Sequence, residues 1–243
     1  MELLRTKAAT LPLIAAGLLA LAGCASPSAQ TPTTEAPGLS INAEAPWGPQ
    51  LLAAIQDGDV ATLKALLAAG APVNEDLGSG NQPIHVAALA SQAQMIPLLV
   101  EAGADVDATA AHASTALMLA ADRADGATVQ ALLDAGADPY LADAQGYATT
   151  AIHRAGREGN VEALEALVSA GVDVNLLEGT QAHALMYAAF NNEVEAVEFL
   201  IAAGSDLEQR DNAGSTAYEW AVARGNDEAA QALADAGADT DGP

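Results

Sequence analysis

The sequence predicts an all-α solenoid of about six helix-turn-helix units with short hairpin-like fingers. The first observation behind this is a helix ending that recurs. A leucine-rich stretch closes a helical pattern, and a glycine follows where the chain must turn away with positive φ, as in Leu132-Leu133-Asp134-Ala135-Gly136-Ala137-Asp138. These glycines stand at 70, 103, 136, 171, 204 and 237, so successive differences are 33, 33, 35, 33 and 33. A period of that size marks a stack of one structural unit. The second is the Gly58-Asp59, Gly159-Asn160 and Gly225-Asn226 turns, each between two short amphipathic runs. The third is composition: 51% of the chain is hydrophobic, with much alanine and only 3% aromatic. Such a core is thin, its helices nearly touching over small side chains.

The chain has 243 residues, room for one sizeable domain and accessory segments, and a formal charge of −24. A nucleic-acid partner is excluded, because phosphate neutralisation needs clustered Lys and Arg. The single cysteine, Cys24, rules out an intrachain disulfide and thiolate metal clusters.

In chain order, residues 1–23 combine a basic start (Arg5, Lys7) with an apolar run interrupted by Pro12 and Gly17, too short to span a membrane comfortably. This is the build of a secretory signal peptide. The run ends in Leu21-Ala22-Gly23-Cys24, which resembles the lipobox of bacterial lipoproteins. That resemblance implies cleavage before Cys24, diacylglycerol on its sulfur and an acylated new amine. The protein is thus expected outside the cytoplasm, lipid-anchored to the outer face of the plasma membrane. With Ala25 rather than Asp after the cysteine, the anchor is the outer membrane if the source has two. Residues 24–46, with Pro27, Pro32, Pro37 and Pro46 among Ser, Thr and Ala, form an extended tether.

From Trp47 to residue 243 the repeat takes over, in units near 47–76, 77–109, 110–142, 143–177, 178–210 and 211–243. In the fourth unit a first helix is expected over about Thr150–Glu158 and a second over Val161–Ala170, with Val161, Leu164, Leu167 and Val168 as the buried stripe. Polar stretches such as Asp105–Ala113 and Glu208–Gly214 suit the fingers, with alternating Val or Leu tucked inward. The fourth unit's two extra residues fall near Tyr147-Ala148-Thr149 and should lengthen a finger, because helical spacing is intact on both sides. No unit buries its apolar face alone, so neighbours stabilise one another, and the first and last units serve as caps.

This pattern resembles the ankyrin repeat across essentially all of 47–243. The family's Thr-Pro-Leu-His opening is matched by Gln82-Pro83-Ile84-His85 and Thr150-Ala151-Ile152-His153. It is matched more loosely by Thr115-Ala116-Leu117-Met118, His183-Ala184-Leu185-Met186 and Thr216-Ala217-Tyr218-Glu219. The resemblance makes His85 and His153 structural hydrogen-bonding residues and puts a helix cap at His183. His112 belongs in a finger. No His-Glu-x-x-His array, full calcium loop, phosphate-cradling glycine loop or nucleophile elbow is present. Neither a cofactor nor a metal is expected, and the acids of Asp57-Gly58-Asp59, Asp105-Val106-Asp107 and Asp239-Thr240-Asp241 read as solvated turns.

The resemblance also implies a concave binding surface. Arg123, Arg157 and Arg224 fall at or near the end of a first helix and Arg210 near a finger; Tyr140, Tyr147 and Phe190 join them. Guanidinium groups interleaved with aromatics are the residue mix of binding hot spots; surface pairing with Glu158, Asp211 or Asp227 is the competing role. Arg154 follows His153 where an interior residue is expected, so it should reach solvent along its stem. Trp220 stands at a core position. The expected function is a monomeric, non-enzymatic, membrane-anchored extracytoplasmic module that binds a protein partner. The alternatives are a small-ligand or cell-wall-binding lipoprotein, with Tyr147, Phe190 and Trp220 as stacking platforms, and an envelope hydrolase.

Overall fold

Repetition in the sequence becomes repetition in space through one device used six times, the helix ending. In a computed structural model of the protein, residues 41–42, 44–123, 125–144 and 146–241 are described. The leader over 1–23, Cys24 and most of the tether lie outside the described residues. The chain divides into two units, Met1–Ala36 and Pro37–Pro243, and the second holds everything that follows.

Six helix pairs follow one another: α1 (Trp47–Gln56) and α2 (Val60–Ala68), α3 (Pro83–Leu89) and α4 (Ile96–Glu101), α5 (Ala116–Ala121) and α6 (Gly126–Asp134), α7 (Ala151–Arg157) and α8 (Val161–Ser169), α9 (Ala184–Asn191) and α10 (Val194–Ala202), α11 (Ala217–Arg224) and α12 (Asp227–Asp235). First helices pack on first helices in one row, α1 on α3 through to α9 on α11. From α4 onward, second helices form a second row behind them. Each second helix ends the same way. Gly136 has a φ of 91°, its N–H reaches the carbonyl of Leu133, and the N–H of Ala137 reaches that of Leu132. Both last-turn carbonyls are thereby satisfied. Leu63, Leu66, Leu99, Leu132, Leu164, Leu167, Leu200 and Leu233 are fully buried between the rows, each contributing about 1.5–3 kcal/mol of burial. Val161 and Val168 of the expected stripe are only half-buried against that core.

The fingers are tighter than regular hairpins. Among the described residues there are no strands, only an isolated antiparallel bridge between Thr109 and Thr115. One backbone bond closes each finger, from Leu77 N to Asn81 O, Ala110 to Ser114, Asp143 to Thr149, Glu178 to Ala182 and Asp211 to Ser215. Neighbouring fingers are stitched together by Ala144 N to His112 O, Gly179 N to Tyr147 O and Asn212 N to Thr180 O. The two extra residues do sit in a finger: the connection 135–150 exceeds 69–82, 102–115, 170–183 and 203–216 by two residues.

Two side-chain ladders run along the stack, the first within each unit and the second from one unit to the next. His85 accepts the N–H of Gln82 on Nδ1 and donates from Nε2 to the carbonyl of Ala108, 2.8 Å away. His153 does the same between Thr150 and Leu176. His183 keeps only the second half. Its Nε2 meets the carbonyl of Asp206 at 2.9 Å, and its ring makes no cap bond to α9. The expected cap is therefore corrected to a strut that ties the first helix to the stretch closing its own unit. The second ladder runs near the glycines. Asn74 donates to Gly103 O and accepts from Asp105 N, and Asn175 repeats both bonds with Gly204 and Asp206. Asp107 and Glu208 accept from Asp138 N and Asp239 N.

Candidate functional site

The first helices carry the candidate site on two repeat positions three residues apart, and so on one helix face. In chain order these positions hold Ala53 and Gln56, Val86 and Leu89, Leu119 and Asp122, Arg154 and Arg157, Tyr187 and Phe190, Trp220 and Ala223. The column passes from aliphatic through charged to aromatic.

At its middle, Arg154 is buried. Its Nη1 donates to Asp122 Oδ2 at 2.8 Å, and its Nη2 donates to Asp143 Oδ2 at 2.8 Å and to Ser114 Oγ at 2.9 Å. Only 6% of the side chain is exposed, which overturns the expectation that it reaches solvent. Carboxylates on the preceding first helix and on its own finger meet the guanidinium where it is, so no route to water is required. Arg157 sits one turn further on, half-exposed, paired with Asp122 Oδ1 at 3.2 Å and Glu158 Oε1 at 2.9 Å. Burial raises the pKa of Asp122, opposed by both arginines.

Beyond Arg157 the face opens into a pocket of about 440 Å³. Tyr147, Arg157, Tyr187, Phe190 and Trp220 line it, with Thr180, Asn191, Asp211 and Asn212 also contributing. The rings meet edge to face. Tyr187 and Trp220 lie 5.7 Å apart at 87°, and Phe190 and Trp220 lie 5.6 Å apart at 68°. Trp220 Nε1 donates to Asp211 Oδ2 at 3.0 Å, fixing the indole against the finger. Arg224 lays its guanidinium over the Phe190 ring, 4.4 Å from the centroid. Burial, helped by Glu178, pushes the Tyr187 phenol up to about 12, so it stays protonated at neutral pH.

A family model for ankyrin repeats matches this chain in three copies, over residues 51–143, 113–178 and 152–242. The chain belongs to the ankyrin repeat family. Its architecture is similar to that of the human ASB11 ankyrin repeat domain (27% identity, TM-score 0.70, covering 79% of this chain and 85% of that one). It is similar also to the ankyrin repeat domain of Bcl-3, a member of the IkappaB protein family (26%, 0.69, 79% and 88%). A chain from the complex of Bd0816, a predatory endopeptidase from Bdellovibrio bacteriovorus, with the immunity protein Bd3460 shares the fold (24%, 0.66, 76% and 97%). No curated protein sequence matches. Ankyrin repeats make this a protein-protein interaction fold.

Of the seven residues expected on the ankyrin binding surface, Tyr147, Arg157 and Phe190 meet in the pocket, with Arg224 stacked on the outside of Phe190. Arg123 lines a separate groove of about 350 Å³ with Leu52, Gln56, Leu77, Val86 and Leu89. Arg210 closes its own finger, donating to Gly214 O at 2.7 Å and facing Glu219 at 3.6 Å. Tyr140 stands at the ladder position of Asn74 and Asn175, and its hydroxyl lies 3.5 Å from the carbonyl of Gly171. The structure does not bring these last two into the pocket.

Sequence reasoning missed Tyr187 and Asp211 as site residues, and it favoured the core for Trp220, keeping it as a stacking platform only in the small-ligand alternative. Trp220 does pack on the core, yet it also forms a pocket wall. The usable signal was the column itself: Arg154, Tyr187 and Trp220 replace the Val86 and Leu119 of earlier ankyrin units. The paired acids are turn formers. Asp59 accepts from Thr62 N, and Asp105 and Asp239 accept from the N–H two residues on. Among the described residues no group of three or more His, Cys, Asp or Glu is placed to hold a metal. No described helix is long and apolar enough to cross a membrane.

Proposed function

We propose that this protein is a non-enzymatic, lipid-tethered ankyrin module that captures a protein partner outside the cytoplasm through the aromatic pocket of its last three units. The observation that carries the reading is the convergence of Tyr147, Arg157, Tyr187, Phe190 and Trp220 around one open cavity. Aromatic and arginine side chains surrounding a desolvated pocket are the composition of interface hot spots. The Cys24 lipobox supplies the anchor, and two or three acyl chains, each buried CH₂ worth about 0.8 kcal/mol, hold a protein stably at a bilayer.

Crosslinking pull-down with the anchored full chain tests the site. Replacing Tyr147 and Arg157 together by alanine should abolish capture of the crosslinked partner with the melting temperature unchanged; undiminished capture sinks the pocket as the site. Cys24→Ala should lose acyl labelling and leave the membrane fraction; a variant that stays membrane-bound removes the anchor. A second reading, a small ligand held between the same rings, draws on the cavity's size, which falls in the range of ligand pockets. It predicts saturable binding of a small molecule from envelope extracts, with no crosslinked protein.

A further inference from the structure

Resting on that pocket being the partner site, we infer that its occupant is a lysine or arginine side chain presented by a basic, extended segment of the partner. Charge is the first ground. Glu2 and Glu35 cancel Arg5 and Lys7 within residues 1–40, so the whole formal charge of −24 belongs to the remaining, repeat-bearing part of the chain. A surface so acidic accelerates encounter with cationic segments and repels acidic ones.

The rings are the second ground. A cation within about 6 Å of an aromatic face is attracted by the ring quadrupole, more so when desolvated. The molecule already does this once, with Arg224 placed 4.4 Å over Phe190. Inside the pocket, Tyr147, Tyr187 and Trp220 offer further aromatic surface.

Local electrostatics are the third ground. Arg157, the cation lining the pocket, is already answered by Asp122 and Glu158. With Arg154 beside it, two guanidinium groups face the three carboxylates of Asp122, Asp143 and Glu158. Asp211 adds a further carboxylate at the pocket wall. The rim is also rich in acceptors. Asn191 and Asn212 turn their amide nitrogens to the carbonyls of Arg157 and Gly179, which orients their Oδ1 atoms to accept. Ammonium and guanidinium groups donate only, so they suit this lining; a carboxylate or a plain apolar side chain leaves those acceptors unused.

Titration of the full chain in non-ionic detergent tests this. The probes are blocked Gly/Ser nonapeptides carrying Arg, Lys, Leu or Glu at three alternate positions, and the readout is Trp220 fluorescence in a Trp47→Phe background. The Arg and Lys peptides should bind about tenfold more tightly than the Leu peptide, and the Glu peptide should not bind. Tyr147→Leu, which leaves the charge intact at a 58% exposed position, should weaken the Arg peptide about fivefold without altering the melting temperature. A Leu peptide that binds as well as the Arg peptide overturns the inference. So does an Arg peptide indifferent to Tyr147→Leu, because charge alone is then holding it elsewhere. If the peptides fail while crosslinked capture still depends on Tyr147 and Arg157, only the cationic occupant falls. If capture is indifferent as well, the pocket falls with it.

Discussion

Units three and four and units five and six place the same two repeat positions on the same face, yet they use them in opposite ways. In the former, Asp122, Arg154 and Arg157 neutralise one another, and the node is closed to water around Arg154. In the latter, Tyr187, Phe190 and Trp220 pack edge to face and leave a cavity open beside them. The two regions repeat the same pair of helices; the side chains at two positions differ. The repeat specifies the scaffold, and departures from the repeat specify what it can hold.

The sharpest way to break the comparison is to remove the charged node's centre. Arg154→Leu takes the buried guanidinium from Asp143 and leaves Asp122 with Arg157 alone, and it should cost about 3–5 kcal/mol in chemical denaturation, the range for a buried pair that loses one partner. Trp220→Leu keeps an apolar side chain on the core and should cost clearly less. Equal losses would mean that the node is no more structural than the aromatic wall.

The fold was legible because its signals are local and periodic: glycines after leucines, turn residues between runs, a histidine opening a helix. The charged node was not. Arg154 bonds to residues 32, 11 and 40 positions away, and one repeat read alone places it among core residues. The pocket was half legible. Tyr147, Arg157 and Phe190 stand out by residue type, whereas Trp220 looked like packing because a ring can serve the core on one edge and the cavity on the other. Tyr140 looked like surface recognition because the ladder of Asn74 and Asn175 becomes visible only once units are stacked.

Acid should separate the two regions next. Burial lowers the His153 pKa from 6.5 to about 4 and lowers that of His85 as well. Above about pH 6.5 the ring is neutral folded or unfolded, and its contribution is complete. As pH falls below that, the unfolded chain takes up a proton that the folded ring refuses, and stability is lost until the folded pKa is reached. His153 should account for a loss of about 2–3 kcal/mol between pH 7 and 4.5. The measurement is the urea midpoint of the native protein against His153→Gln at both pH values; parallel shifts would refute the assignment. Smaller still is the cost of crowding the α7–α9 contact, beside both regions. A Cβ on Gly156 would stand 2.6 Å from the carbonyl oxygen of Ala184, so Gly156→Ala should lose about 1–3 kcal/mol by overpacking. A melting temperature unmoved by this change would show that the two helices can part without penalty.

The smallest effect has the opposite sign. Tyr140 reaches the carbonyl of Gly171 at 3.5 Å, whereas Asn74 and Asn175 each make a shorter bond to the equivalent glycine and also accept the N–H two residues further on. Tyr140→Asn would restore both bonds across the junction of units three and four, adding the acceptor that a phenol does not place there. A net hydrogen bond is worth about 0.5–1.5 kcal/mol, so the unfolding free energy from denaturant titration should rise by an amount in that range. Partner capture should not change, because Tyr140 stands on the ladder and not among the residues lining the pocket. A variant that is more stable but no longer captures the partner would move the binding surface from the first helices to the glycine edge of the stack. One that is less stable would show that the Tyr140 ring, half-exposed as it is, packs better than the ladder residue it replaces.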